Sequence, residues 1–252
     1  MNSCISIDRI LEKLDGYLNK NDYASAERHL IYWVSEAEAA GDVRVELTLR
    51  NELMGLYRKT GKREQALECV RIALGKIEKA GAGDTAFAAT TYLNSATVYK
   101  AFSMAERGIE LFSKAREIYE RELDKNDARL GGLYNNMGLA LVDLKRFDEA
   151  KELYGAAISI MEKQERGELE VAITYLNLAT ASEAELGLEG ADGQIQEYLS
   201  IAENLLEGHK IRDGYYAFVC DKCASVFGYY GHFIYEKELY RRAKAIYEDQ
   251  RT

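Results

Sequence analysis

The chain has 252 residues, and its 33 Lys and Arg residues against 42 Asp and Glu residues give a formal net charge of −9. Such an acidic chain lacks the basic face that nucleic-acid phosphates require, so direct binding to nucleic acid is not expected. Proline is absent and 47% of the residues are hydrophobic. Because proline breaks helices and apolar residues supply a buried layer, this composition favours long helices that pack against one another.

The beginning of the chain does not have the pattern of a secretory signal. The stretch from Ile5 to Ile10 is already amphipathic, with no charged segment followed by an apolar one. No apolar run approaches the roughly 18–20 residues that a membrane span requires. We therefore expect a cytoplasmic protein that has no membrane partner.

Apolar periodicity and turn residues predict twelve helices that form six pairs. Asp42, Asp84 and Asp127 stand where an N-cap is favourable. The glycine-rich segment 187–193 is predicted to be a loop and a candidate hinge. In chain order the predicted pairs are 5–19 with 22–40, 43–60 with 63–80, 84–102 with 105–125, 127–144 with 147–165, 168–186 with 191–207, and 212–229 with 232–250.

The fourth pair shows the pattern most clearly. Tyr134, Gly138 and Leu141 share one face of its first helix, and Ala150 and Tyr154 share one face of its second. The small residues let the two backbones approach closely, while the tyrosines fill the space beside them. Such a hairpin buries one side of each helix, so it needs neighbouring hairpins for stability.

The same pattern recurs with a period near 42 residues. A segment of seven residues starting at Thr91 is repeated from Thr174 with one difference, and a degenerate copy lies around Tyr17 and Trp33. Six-residue segments that begin with an acidic residue and end with alanine occur five times, ending at Ala73, Ala115, Ala157, Ala202 and Ala243. This register indicates six structural repeats.

The repeated pattern resembles the tetratricopeptide repeat family from about residue 5 to 250. Met137-Gly138, Phe147, Tyr154 and Ala157 occupy motif positions of the family in the fourth unit. The period exceeds the family's usual ~34 residues, as in kinesin light chain-like variants, and the closing proline is missing. The resemblance implies an all-α fold, a right-handed α-solenoid of antiparallel helix hairpins, with residues 1–252 forming a single domain of about six repeats.

Cys220 and Cys223 form a C-x-x-C motif that could bind a metal ion or form a redox disulfide. The other cysteines and the histidines are dispersed, so a second pair of ligands is missing. In the repeat register both cysteines fall on inward positions, which favours burial as small apolar residues. A thiol or metal enzyme is therefore the less favoured alternative, and we predict no catalytic residue, metal ligand or cofactor.

Three asparagines recur at the repeat spacing. Asn94, Asn136 and Asn177 occupy the same position in three successive first helices. A carboxamide offers a donor and an acceptor, so a row of them can pair with successive peptide groups of an extended segment. In tetratricopeptide proteins resembling this chain, this position lines the concave groove and its asparagines hold bound peptides. The alternative is that each asparagine bonds to an adjacent helix and sets the packing of the repeats.

Polar and cationic residues are predicted on or beside the same groove. Asp143 and Glu183 are predicted there too, so the groove is mixed in charge. We therefore expect a non-catalytic adaptor or sensor that reads an extended peptide of a protein partner mainly through its backbone. The further predicted contacts are Asn51, Arg58, Lys59, Thr97, Lys100, Asn135, Thr180 and Lys222.

The C-terminal third carries more aromatic residues than the repeat pattern needs. Tyr240 and Tyr247 are among those that we expect to be available at the end of the last hairpin. Because the end of a stacked-helix protein needs a covering face, these residues favour an alternative function. In that alternative the chain is a structural scaffold that forms a homodimer through its aromatic-rich end.

Overall fold

The computed structural model describes residues 6–249, which contain helices and no strand. This confirms the predicted all-α fold. Within these residues no helix is both long enough and apolar enough to span a bilayer. The helices are α1 (Ile7–Leu18), α2 (Tyr23–Ala40), α3 (Val43–Lys59), α4 (Arg63–Lys79), α5 (Ala86–Ala101), α6 (Ala105–Glu122), α7 (Ala128–Asp143), α8 (Phe147–Met161), α9 (Glu168–Gly208), α10 (Gly214–Tyr229) and α11 (Phe233–Asp249).

The prediction of a loop at 187–193 is wrong. Helix α9 continues through this segment, and Gly187 alone within α9 leaves the helical conformation, with φ 75° and ψ 163°. Glycine adopts this backbone conformation without the steric cost that a Cβ would impose. One residue therefore bends the chain, and the two halves of α9 serve as the two helices of the fifth pair.

Two of the three predicted caps are confirmed. The Asp42 carboxylate accepts a hydrogen bond from the Val45 amide at 3.0 Å, and Asp127 caps α7 in the same way. Asp84 does not cap α5, because Thr85 occupies the N-cap position and accepts from the backbone amide of residue 88. Asp84 instead accepts a hydrogen bond from Arg121 at 2.7 Å.

The chain divides into two compact units, Met1–Glu122 and Leu123–Thr252. Unit 1 contains α1 to α6 and unit 2 contains α7 to α11. Within each unit short turns connect consecutive helices, and the paired helices pack against each other. The six predicted helix pairs are all present, whereas one continuous domain over 1–252 stays a prediction.

Close packing in the fourth pair depends on one glycine. A Cβ built on Gly138 in α7 would lie 2.5 Å from the Tyr154 ring of α8, which is a severe overlap. Tyr154, Ala150 and Ala157 are fully buried. The small residues therefore allow the close approach that the sequence predicted, and the tyrosine ring fills the space above Gly138.

Unit 1 contains a buried ion-pair network. The Glu46 carboxylate, 1% exposed, accepts a hydrogen bond from Arg50 Nε at 2.7 Å and another from Lys76. Arg50 also donates to Glu38 at 2.7 Å. Burial acts to raise the pKa of the Glu46 carboxyl, but the two cations outweigh it and hold the pKa below its ordinary value. The carboxylate therefore stays ionised and joins α3 to α4.

Replacing Glu46 with glutamine should lower the free energy of unfolding of unit 1 by about 2–4 kcal/mol, because two partly buried cations lose their charged partner. The single tryptophan, Trp33, lies in α2, so its fluorescence during urea denaturation monitors this unit. Since the folded-state pKa is depressed, the wild-type advantage should be present at neutral pH and lost as the pH falls below about 4.3.

Glu68→Gln is the matched control for this experiment. Glu68 pairs with Arg71 on the exposed surface of α4, where an ion pair contributes roughly 0–1 kcal/mol. Equal losses of stability in the two variants would contradict the role given to the Glu46 network.

Gly138→Ala should destabilise unit 2 by about 1–3 kcal/mol, because the new methyl group overlaps the buried Tyr154 ring. Gly155→Ala, in the exposed middle of α8, is the control, since a Cβ there meets no atom within 4 Å. This second substitution should stabilise the helix by up to ~1 kcal/mol. Thermal unfolding followed by circular dichroism measures both, and a stabilising Gly138→Ala would show that the contact is not tight.

Candidate functional site

Unit 2 places three first helices side by side: α7, the first half of α9, and α10. Helix α9 packs against both α7 and α10. Residues spaced 3, 4, 3 and 4 apart form one stripe along each helix. We call these stripes together the stripe surface; its residues are Arg129, Gly132, Asn136, Leu139 and Asp143 on α7, Glu170, Ile173, Asn177, Thr180 and Ala184 on α9, and Tyr215, Phe218, Lys222, Ser225 and Tyr229 on α10.

Apart from Ile173, which is buried, the stripe surface is accessible, and it has small residues near its centre. All five stripe residues of α10 are exposed, and Thr180 of α9 is exposed as well. A Cβ added to Gly132 would meet no atom within 4 Å, so there is open space above this part of α7. A ligand main chain could therefore approach these helices closely.

Two of the predicted asparagines lie in the middle of the stripe surface, and both are half-buried. Asn177 donates a hydrogen bond from Nδ2 to Asn135 Oδ1 at 2.7 Å, which links α9 to α7. Asn136 donates to the Gly132 carbonyl of its own helix at 2.8 Å. Within residues 6–249, the Oδ1 atoms of Asn136 and Asn177 accept no hydrogen bond. Each amide thus contributes a donor to the protein and keeps an acceptor at the surface.

Asn94 belongs to unit 1, where it is half-buried on α5. Its carboxamide makes no hydrogen bond to any other residue that the structure describes. Glu52 occupies the equivalent position of α3, and burial raises the pKa of its carboxyl, with the charge of Asp15 acting in the same direction. Unit 1 therefore carries its own pair of polar groups at this repeat position.

Three predicted contacts lie in the interior and are corrected here. Asn51 is 9% exposed and donates to Thr91 at 3.1 Å, and Asn135, 8% exposed, accepts the hydrogen bond from Asn177. Thr97 is also 8% exposed and donates to the carbonyl of residue 93 in its own helix. Because their side chains are buried, these three residues are not available to a ligand; Asn51 and Asn135 instead form hydrogen bonds between helices.

The predicted cations lie on both units. Arg58 and Lys59 are exposed at the end of α3, and the Lys59 ammonium lies 5.2 Å from the centroid of the Tyr23 ring. Lys100 is half-buried on α5, and Lys222 is exposed in the centre of the α10 stripe. Of these four residues, Lys222 therefore belongs to the stripe surface. Thr180, also on this surface, donates its hydroxyl hydrogen to the carbonyl of residue 176 at 3.1 Å.

Two aromatic corners of the stripe surface were not predicted from the sequence. At one end Tyr215 donates its hydroxyl hydrogen to Glu170, and its ring stacks with Phe218 at 6.3 Å between centroids. At the other end Tyr229 donates to Glu183 at 2.6 Å. The aromatic residues of α10 had been assigned only to an excess near the C-terminus, although their spacing places them in the same stripe as Lys222.

The tyrosines at the two corners have raised pKa values, so their hydroxyl groups keep their protons. Burial first, and then the neighbouring Glu170 carboxylate, raises the pKa of Tyr215. The hydrogen bond to Glu183 raises the pKa of Tyr229, and burial together with the same carboxylate raises the pKa of Tyr230. Both glutamates therefore hold neutral tyrosines as hydrogen-bond donors, and neither tyrosine cluster is a base at neutral pH.

The C-x-x-C cysteines are buried, as the repeat register predicted. Cys220 is 0% exposed and Cys223 is 1% exposed. Burial raises the pKa of each thiol to about 12, so neither is a reactive thiolate at neutral pH. In the described part of the chain, no group of three His, Cys, Asp or Glu residues is arranged to hold a metal ion. Cys4 lies outside the described residues.

Helix α11 exposes one of the two tyrosines that were predicted to be available, and it buries the other. Tyr247 packs into the core with 9% of its surface exposed, so its predicted availability for a partner is wrong. Tyr240 is 42% exposed, as expected. Phe233 and Ile234, at the start of α11, are 61% and 88% exposed.

Comparisons with known proteins bear on this architecture. Residues 87–163 match the family model of the tetratricopeptide repeat. A search of curated proteins finds no significant match. Among solved structures, BtubC (BKLC) from P. vanneervenii is 21% identical with a TM-score of 0.65, and the match covers 81% of this chain and 82% of that one.

Two further solved structures share the fold. A putative kinesin light chain with nearly identical TPR-like repeats, from Podosopora anserina, is 18% identical with a TM-score of 0.54 over 82% of this chain and 97% of that one. A Rap protein complexed with Competence and Sporulation Factor is 15% identical with a TM-score of 0.55, covering 94% and 74% of the two chains. At these identities the likeness is one of fold. Residues 87–163 thus match the tetratricopeptide repeat family, and the repeated helix pairs share the fold of these solved structures.

Proposed function

We propose that the chain is a non-catalytic adaptor or sensor that holds an extended segment of a partner protein on the stripe surface. The observation that carries this proposal is the pair of half-buried amides, Asn136 and Asn177. Their Oδ1 atoms accept no hydrogen bond from any residue within 6–249. A tetratricopeptide repeat fold generally supports protein binding, which agrees with this role. Action in the cytoplasm stays a prediction.

The chemistry of the amides favours recognition of a peptide backbone. An extended segment that is not part of a sheet leaves its N–H groups unpaired, and a carboxamide oxygen can accept from them. The two nitrogen atoms are held by hydrogen bonds inside the protein, so the oxygen atoms are already oriented before a ligand arrives. Pre-orientation lowers the entropic cost of binding.

Unit 1 supplies a second candidate stretch of the same kind. Asn94 has an unengaged carboxamide among the described residues, and exposed Arg58 and Lys59 lie in the same unit. Lys100 is six residues further along α5 than Asn94 and is half-buried. We propose that these residues form a separate peptide-contact surface of unit 1.

One structural relative offers support at the level of fold. The Rap protein that shares this fold was solved in complex with Competence and Sporulation Factor. A protein with this fold can therefore form a complex with another molecule. The proposal for this chain rests on its own amides and small residues, and not on that complex.

Asn136→Ala should weaken peptide binding by about twofold to thirteenfold, because a hydrogen bond to the ligand contributes ~0.5–1.5 kcal/mol. The fold should be unaffected, since Asn136 donates only to a carbonyl of its own helix. The probe is a synthetic peptide selected on the full chain from a displayed library of random linear dodecapeptides. Fluorescence anisotropy measures its affinity for each variant.

Asn135→Ala is the control for the packing alternative. It breaks the Asn177–Asn135 hydrogen bond from the buried side and leaves Asn136 and its own hydrogen bond unchanged. Binding that is lost in Asn135→Ala but kept in Asn136→Ala would mean that the asparagines set repeat packing, which would overturn the proposal.

Self-association is a second candidate function, and the exposed residues of α11 favour it. Phe233 and Ile234 are unusually exposed for large apolar residues. We therefore also propose that this face can pair with a second copy of the chain.

Light scattering tests the self-association proposal directly. Ile234→Asp should convert a dimer into a monomer, because a charge at a packed interface is costly to desolvate. Ile31→Asp, at an exposed isoleucine of α2 in unit 1, should leave the dimer intact. A wild-type chain that stays monomeric at high concentration would remove this candidate.

A further inference from the structure

The two aromatic corners of the stripe surface share one arrangement, and the proposed peptide-binding role does not yet use it. Each corner combines a half-buried glutamate on α9 with exposed aromatic rings on α10. Glu183 accepts hydrogen bonds from Tyr229 at 2.6 Å and from Tyr230 at 2.8 Å. Glu170 accepts from Tyr215, whose ring stacks with Phe218.

Neither glutamate has a cationic partner within residues 6–249. Glu185, two residues from Glu183, by contrast pairs with Lys151. Arg166 is near Tyr215, but its guanidinium is held by Asp213 at 2.7 Å. The phenol hydrogens occupy one acceptor site on each oxygen that they reach, and carboxylate oxygens have further lone pairs available.

A cationic side chain satisfies both halves of such a corner. A guanidinium or ammonium group is attracted to the face of an aromatic ring, an interaction of about 0.5–1 kcal/mol at exposed sites, and it forms charge-assisted hydrogen bonds to a carboxylate. An acidic side chain would be repelled by the same carboxylate. The exposed rings at the corners are Tyr215 (39%), Phe218 (39%) and Tyr229 (70%).

The distance between the two corners determines how far apart two bound ligand side chains must be. Tyr215 and Tyr229, whose hydroxyl groups donate to the two glutamates, are 14 residues apart in one stripe of α10, which corresponds to about 21 Å along its axis. An extended peptide advances about 3.3 Å per residue, so about six residues cover this distance. Side chains an even number of residues apart point to the same side of an extended chain. The spacing therefore fits two ligand side chains that face the protein together.

We infer that the stripe surface binds an extended segment of a partner protein that carries two arginine or lysine side chains about six residues apart, one at each corner. This inference rests on the proposed peptide-binding function and specifies the ligand for it. The segment between the two cations lies over Asn177, Thr180, Lys222 and Ser225, so the charge of Lys222 disfavours a third cation between them. A second copy of this chain fits less well as the occupant, because the described residues are almost entirely helical and the chain carries a net charge of −9.

The first test is the composition of selected peptides. The full chain is immobilised and used to select from a displayed library of random linear dodecapeptides at low ionic strength. Peptides with Arg or Lys at two positions six residues apart should be enriched over the unselected library. Their binding should weaken as salt is added, since exposed charge pairs are screened.

The second test uses matched variants and a matched ligand. Glu183→Gln and Glu170→Gln should each weaken the selected synthetic peptide about tenfold, and replacing either ligand arginine with citrulline, which has the same shape without the charge, should do the same. Glu185→Gln removes an equal charge from a glutamate that is already paired, and it should leave binding unchanged. Circular dichroism melts establish that all three variants are folded.

The outcomes separate the two levels of the proposal. Enriched peptides without paired cations, or binding that is indifferent to both corner substitutions, would overturn the inference and leave the peptide-binding function in place if Asn136→Ala still weakens binding. A selection that enriches no peptide above background would overturn both. Acidic peptides that bind through Lys222 would contradict the inference, and Lys222→Ala would reveal them.

Discussion

Stacking of helix pairs in a constant register is the constraint on which the structure of each unit depends. A lone hairpin leaves one side of each helix uncovered, so every pair requires its neighbour at a fixed distance and phase. The contact of Gly138 with the Tyr154 ring shows how tightly this distance is set within a pair. Between pairs, Asn177 and Asn135 form a hydrogen bond across one repeat. Register therefore converts a position in the sequence into a row of side chains.

The asparagines show that one side chain can both pack the repeats together and orient a hydrogen-bond acceptor at the surface. Asn177 donates a hydrogen bond to Asn135, which is 8% exposed, so the buried Oδ1 atom of Asn135 has a partner. The same hydrogen bond fixes the direction of the remaining carboxamide oxygen. A residue that contributes to repeat packing thus acquires a defined orientation at the surface. Asn136 reaches a comparable state through a carbonyl of its own helix.

The sequence predicted the helix pairs, their period and the burial of Cys220 and Cys223, because all of these follow from apolar periodicity along one helix. It failed where the outcome depends on a neighbouring helix or on a single backbone conformation. Thr97 and Asn51 have the spacing of surface residues, yet adjacent helices cover them. At Gly187 one residue makes the bend that a seven-residue glycine-rich segment was expected to make, because helix-forming residues on either side keep their helical conformation.

The aromatic corners are a second case in which the sequence could not show which residues are exposed. Counting aromatic residues near the C-terminus indicated an excess, but the count could not distinguish a core residue such as Tyr247 from an exposed one such as Tyr229. Placing α10 in register with α9 resolves the difference, since Tyr229 then lies opposite Glu183. A carboxylate whose hydrogen bonds come from neutral tyrosines is not paired with a cation. The surface around it therefore selects ligand side chains by their charge. The amides between the corners bind the ligand backbone whatever its side chains are, so different residues provide affinity and specificity.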